Sequence, residues 1–387
     1  MNEAVLRIAI MPLVDAAPLI VAQDMGFAAE EGLALDLVQA PSWSALRDMV
    51  SYGRVEAAHM LSPVPIANAL GLGGGAAAMS AVSVMSVNGN VIGVSRRIAD
   101  LLRAKGYAFD FKDANAAGRA LIGAGKLRIG VPFPFSMHAE LLYYWLSKLG
   151  LNMPDGIDVR TVPPPLMAQA ISAGEIDAFC VGEPWGSIAV ENNVGELLLP
   201  GSAIWSFAPE KVLATRDDWA ANEPELVARL IRAVWRAGRW LGETSSRITA
   251  AELLSKPERL NISAEIIDRS LNNRLVVSSR GDERRTERFV EFHAGAASFP
   301  WRSQAAWIGA QLASRHGLDP VNSIHIAKSV FRPDLHRAAL RGTGADLPGA
   351  NEKLEGAVDN PMPVAGESGK LFLQTNQFFD GCIFDPT

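Results

Sequence analysis

Cysteine is nearly missing from this chain: of 387 residues only Cys180 and Cys382 are cysteine, far apart in sequence. No disulfide framework can be built from such a pair, and the usage leans toward a reducing compartment. Also missing is any run approaching the roughly 20 apolar residues that a membrane span requires. The start, Met1-Asn2-Glu3, passes at once into the strand pattern of residues 5–10. It shows no basic region, separate apolar stretch or small-residue cleavage site, so the expected location is the cytoplasm. Excess positive charge is absent as well. With a formal net charge of −6, neither direct nucleic-acid binding nor attraction to a membrane surface is expected. The six histidines are scattered, there is no H-E-x-x-H, and no Ser-His-Asp set that a fold would gather. No metal, no cofactor and no enzymatic activity are therefore expected.

What is present is alternation. Strand 5–10 leads to a helix from about 17 to 31, with Asp15 a candidate cap and Gly32 its stop. Strand 33–38, a helix capped by Ser42, strand 55–60 and a helix from Pro65 complete a first β-α-β-α-β unit, the mark of a parallel sheet wrapped by helices. Residues 77–85 and 91–95 read as two strands joined at Asn88-Gly89-Asn90, where the Asn-Gly pair suggests a tight turn. A second alternating unit runs from 127 to about 205, and residues 211–215 read as a strand returning to the first lobe. The expected architecture is α/β with two lobes: residues 1–94 and 207–387 in lobe I, with a helical C-terminal part and extended tail, and 95–206 in lobe II.

The central stretch is Cys180-Val181-Gly182-Glu183-Pro184-Trp185, a strand, a glycine and a helix start. Such a junction aims backbone N–H groups beyond the strand's carboxyl end, where ligands of α/β folds sit. Three other segments end in the same way. Trp43 begins the helix after the second strand. Ser136 and His138 occupy the first turn of a helix in the second unit, and Lys211 opens the returning strand. One lysine, one histidine, one indole and several N–H groups suit a small monoanion rather than a polyphosphate. Taken singly, each has an ordinary reading too: Trp43 as core, His138 as a hydrogen bonder on a helix face, Lys211 as a surface residue. If Lys211 serves only the ligand, removing it leaves the ligand-free fold about as stable as before. Elsewhere, Arg229, Arg232, Arg236 and Arg239 line one face of the helix starting at Pro224, by default a solvated face and otherwise a docking surface for an acidic partner. Residues 280–288 read as a solvated helix or loop. The segment 342–369 reads as an extended wrap, and Phe372, Phe378, Phe379 and Phe384 after it call for burial.

The stretches APSWSALRD, AAHMLSPVP, SVNGNVIGVS, TVPPPLMAQAISAGEIDAFCVGEPW, APEKVLATRDDW and FFDGCIFDP resemble the nitrate-binding proteins of nitrate ABC transporters, with bicarbonate-binding relatives sharing much of the pattern. The resemblance covers nearly the whole chain. It implies a type II periplasmic-binding-protein fold that closes on its ligand, and it places Trp43, Asn90, His138, Gly182 and Lys211 at anion-contacting positions. The lysine in P-E-K is the nitrate-type residue. Asn90 stands where transporter members usually carry Gln, and Phe135-Ser136 replaces a Gly-Gly pair, which would crowd that loop. With no leader in view, the chain is similar to the cytoplasmic nitrate/nitrite sensors of the NasS type. That resemblance implies an ANTAR-domain antiterminator as partner. The alternatives are a transporter's nitrate-binding component without its leader and an enzyme on a similar fold, such as the pyrimidine synthases of thiamine biosynthesis.

Overall fold

The computed structural model describes residues 3–152 and 155–387. Its strands are β1 (Ala4–Ile10), β2 (Leu33–Gln39), β3 (Ala57–Leu61), β4 (Met79–Asn88), β5 (Asn90–Ser95), β6 (Arg128–Val131), β7 (Asp158–Thr161), β8 (Ala178–Gly182), β9 (Gly195–Pro200) and β10 (Pro209–Arg216), followed by short pairs. They form two sheets. In the first the order is β4-β10-β3-β1-β2, with Val290–Glu291 added outside β4. In the second it is β7-β6-β8-β5-β9. Within each sheet the α/β units pair in parallel, β1 with β2 and β3, and β6 with β7 and β8. The crossing strands run the other way: β10 is antiparallel to β3 and β4, and β5 to β8 and β9. Helices cover both faces, so the strands are near-continuously buried; every residue of β3, β4 and β8 is.

Asn88-Gly89-Asn90 closes no hairpin. Asn88 (φ 59°) and Gly89 (φ 99°) take left-handed backbone and carry the chain from β4 in one sheet to β5 in the other. The first crossing thus lies at 88–90, with β5 in the second sheet, whereas the sequence reading placed it at 94–95. The second crossing runs from Pro200 to Pro209, and Asn88 ties the two together. Its Nδ2 donates to the Ser206 carbonyl at 2.9 Å, and its Oδ1 accepts from the Ala208 amide at 3.1 Å.

Three further expectations change. The first helix stops at Asp24 and resumes as a single turn, Phe27–Glu30, because Gly26 adopts φ 83° between them. Residues 280–288 contain a strand, Glu283–Arg285, paired antiparallel with Arg274–Val276. The arginine stripe on the helix Pro224–Gly242 is only partly solvated, because its two middle members pair with another helix. Arg232 meets Glu31 at 2.7 Å, Arg236 meets Glu30 at 2.9 Å, Arg229 meets Glu225 at 3.1 Å, and Arg239 lies 5.5 Å from the centre of the Trp235 ring. The tail wraps the body as an extended segment. Phe378 is buried among Trp205, Trp307 and Tyr144, while Phe372 stays 52% exposed. The backbone around Phe378 also bonds the second crossing, Phe379 N–H to the Ile204 carbonyl and Ser206 N–H to that of Gln377, both 2.9 Å.

Candidate functional site

The two sheets point their carboxyl ends at one another across the crossings, and the lobes are shut. The Val14 amide donates to the Glu183 carbonyl, and the Trp185 indole to the Pro12 carbonyl, each at 2.8 Å. Behind these contacts lies a cluster of polar side chains excluded from solvent.

Lys211 is its centre, with a side chain 0% exposed. Its Nζ donates to Asp15 Oδ2 at 2.7 Å and to Glu210 Oε1 at 3.0 Å. Asp15 also meets His59, Nε2 to Oδ1 at 2.9 Å. Glu210 receives Asn90 Nδ2 on its other oxygen at 2.8 Å, and His138 Nδ1 approaches its Oε1 at 3.1 Å, off the line of a straight hydrogen bond. Trp43 sits at the start of its helix (Trp43–Ser51), with Ser42 capping the Ala45 amide at 3.1 Å. Its ring centre is 5.5 Å from Lys211 Nζ, and its buried Nε1–H has no partner among the described residues. Gly182 lies opposite Asn90 across β8 and β5. A Cβ there would stand 3.1 Å from a Leu13 methyl, 3.7 Å from Asp15 Oδ2 and 3.8 Å from His138 Nε2.

The five residues expected from the sequence, Trp43, Asn90, His138, Gly182 and Lys211, therefore come together in one place. Three more stand with them that sequence reasoning missed. Asp15 is no helix cap: it lies in a 3-10 turn, Val14–Ala16, and its carboxylate faces Lys211 and His59. His59 sits in the wholly buried strand β3, where A-H-M-L reads as core. Glu210 should point away from Lys211 by strand alternation. It does not, because β10 bulges against β4: Pro209 pairs with Val87 and Lys211 with Ser86, two steps against one. A tripeptide P-E-K at the start of a crossing strand was the available signal.

Electrostatics follow from burial. It opposes ionisation of Asp15, but Lys211 and His59 outweigh it and hold that carboxyl well below the usual carboxylate range. Burial pushes the Glu210 carboxyl up to about 7 against the pull of Lys211. It drives both His59 and His138 down, His138 well below the usual histidine value with Lys211 adding to the effect, so both rings are neutral near pH 7. On Lys211 burial is overcome by Asp15 and Glu210, and the ammonium is held charged. Cys180, behind the site, is a buried thiol pushed up by burial and is no nucleophile.

One expected donor set is already used. The amides opening the helix after Gly182 do not all face a ligand: Ser187 N–H donates to the buried Glu183 carboxylate at 3.2 Å. Phe135, expected to crowd the loop before His138, packs outward on Phe133 and His316, and Ser136 caps the Ala139 amide at 3.2 Å. No cluster of metal-ligating side chains occurs among the described residues, and no helix there is long and apolar enough to cross a membrane.

Residues 1–255 match the NMT1-like family. The chain belongs to that family. This NMT1-like protein is 33% identical over 371 residues to the nitrate import ATP-binding protein NrtC of Synechocystis sp., covering 93% of this chain and 54% of that protein. It thus spans about half the length of that relative. Against the nitrate/nitrite binding protein NrtA of Nostoc sp. it is 28% identical over 394 residues, covering 98% of this chain and 82% of NrtA. The crystal structure of the periplasmic nitrate-binding protein NrtA from Synechocystis superposes with a TM-score of 0.84 at 25% identity, over 100% of this chain and 96% of that one. The alkanesulfonate-binding protein SsuA of Xanthomonas axonopodis shares the fold, with a TM-score of 0.58 at 16% identity over 82% of this chain and 96% of SsuA. The NMT1-like chain thus has the two-lobed α/β periplasmic-binding-protein fold.

Gly182 tests how closely the lobes must meet. Gly182→Ala asks a Leu13 methyl to give slightly and should disturb closure of the lobes little. Gly182→Leu drives a branched side chain against Leu13, Asp15 and His138, an overpacking cost of about 1–3 kcal/mol borne by the closed form. Small-angle scattering should then show a contracted Ala variant and an expanded Leu variant.

Proposed function

We propose that this protein is a binding protein, not an enzyme, whose two lobes shut on nitrate or nitrite. The observation that carries this is the buried Lys211 ammonium: two of its three N–H groups meet Asp15 and Glu210, and the third remains for a ligand beside the unpartnered Trp43 indole. Such a pocket suits a planar monoanion and is too small in charge for sulfate. The similarity to NrtA, named for nitrate and nitrite, supports the same ligands here. Calorimetric titration with nitrate, nitrite, bicarbonate and sulfate tests it. Nitrate or nitrite should bind and sulfate should not. Hydrogen exchange should slow together at 12–16 of the first lobe, at the crossing 88–92, and at 133–139 and 180–185 of the second lobe. Absence of nitrate and nitrite binding overturns the reading.

Resemblance to the NasS-type sensors supports a further proposal. The protein acts in the cytoplasm, its open form holds an ANTAR-domain antiterminator of nitrate-assimilation transcripts, and nitrate-driven closure releases that regulator. A ligand shifts such an equilibrium only through its different affinity for the two forms, and by linkage the regulator weakens nitrate binding by the same factor. The names of the relatives NrtC and NrtA favour a second reading, the nitrate-binding component of an ABC transporter. Size-exclusion chromatography with the purified regulator separates the two. A complex that forms without nitrate and dissociates with it supports the sensor; no complex, or one indifferent to nitrate, leaves the transporter component.

A further inference from the structure

The pocket holds more negative charge than an anion site should. Asp15 and Glu210 lie 2.7 and 3.0 Å from the same Lys211 nitrogen. If both are ionised, a bound monoanion makes three negative charges around one ammonium, in an interior shut off from bulk solvent. His138 adds to the difficulty. When its Nδ1 hydrogen faces Glu210, its Nε2, on the Gly182 side and without a partner among the described residues, offers the anion a lone pair rather than a donor.

We propose that the anion enters together with a proton, and that the Glu210–His138 pair takes it. This rests on the anion-binding reading of the same pocket and adds what that reading leaves out, the charge balance. The proton comes from solvent before the lobes close. If it sits on Glu210, the carboxyl O–H donates to His138 Nδ1 and the ring hydrogen moves to Nε2. If it sits on His138, Nδ1–H serves the Glu210 carboxylate and Nε2–H is again free. Both arrangements add one proton, cancel the incoming charge and aim a donor into the pocket. Glu210 is the group built for this. It has no exposure, and the bulge in β10 turns it inward beside Lys211.

The surroundings agree. Around Glu210 stand Lys211 from its own strand, Asp15 from the turn after β1, His138 from the helix Met137–Lys148, Asn90 from β5 and Cys180 from β8, with His59 of β3 behind Asp15. Asp15 meets both Lys211 and His59 and stays ionised, so it cannot take the proton. Glu210, raised to about 7 by burial, titrates where a modest gain in neighbouring negative charge fills it.

Calorimetry of nitrate binding in buffers of different ionisation enthalpy counts the protons. Above about pH 8 the wild-type protein should take up about one proton per nitrate, and its Kd should rise by about tenfold per pH unit. Glu210→Gln, which keeps the shape and removes the titration, should take up none and bind with an affinity independent of pH over that range. Zero uptake by the wild type, or uptake that persists in Glu210→Gln, overturns the proposal. If nitrate fails but bicarbonate binds, the functional reading falls, and the same proton count on bicarbonate decides this one. If no anion binds, this proposal falls together with the functional reading.

Discussion

Lys211→Ala is expected to abolish measurable nitrate binding and, with no ligand present, to cost the fold about 3–5 kcal/mol at pH 8. The first loss is that of the one buried positive charge beside the ligand, about 2–5 kcal/mol by itself. The second was not visible in the sequence, from which the ligand-free stability looked unaffected. It follows from Asp15 and Glu210, which Lys211 neutralises inside a closed lobe interface. Without the ammonium, burial raises both carboxyls above their unfolded values. Their penalty is then complete above those raised values and is lifted as the pH falls through them. Urea denaturation should therefore show a large deficit at pH 8 and a smaller one at pH 5.5. Lys211→Met, which keeps most of the volume, should behave alike. A deficit confined to alanine would point to a cavity instead, and equal deficits at both pH values would refute the charge argument.

Phe378→Ala carries the second large effect. Its ring stacks on Trp205 at 4.8 Å and on Trp307 at 5.8 Å, and lies 5.3 Å from Tyr144. Removing a buried phenyl ring costs about 3–5 kcal/mol. This ring joins four segments: the tail, the second crossing, the helix Arg302–His316 and a helix of the second lobe. Denaturant midpoints should fall accordingly, and exchange should quicken at 204–206 and 376–381 together. A loss under about 1 kcal/mol would mean that the tail is only draped over the body.

Much of this could be read from the chain because the signals were local. The strand-glycine-helix order at 178–191, a helix beginning near residue 136 and the long amphipathic helix at 224–242 depend on neighbours in sequence. What was misread depends on distant ones. Asp15 before an apolar run looks like a cap until Lys211, 196 residues on, claims it. The arginine stripe looks solvated until Glu30 and Glu31 arrive from about 200 residues away. Asn88-Gly89 has hairpin chemistry, yet its flanking strands belong to different sheets, a matter of topology and not of turn preference.

The bulge at the head of β10 also bears on how such a pocket can change over generations. An unbroken strand would give the pocket only every second side chain, and the intervening ones would belong to the opposite face. Here two successive codons, 210 and 211, both face the buried polar cluster, while Val212 and Leu213 return to the apolar core. The charge facing the buried cluster can therefore be altered within one dipeptide, at a cost to the ligand-free fold set by the carboxylate of Asp15 that Lys211 neutralises.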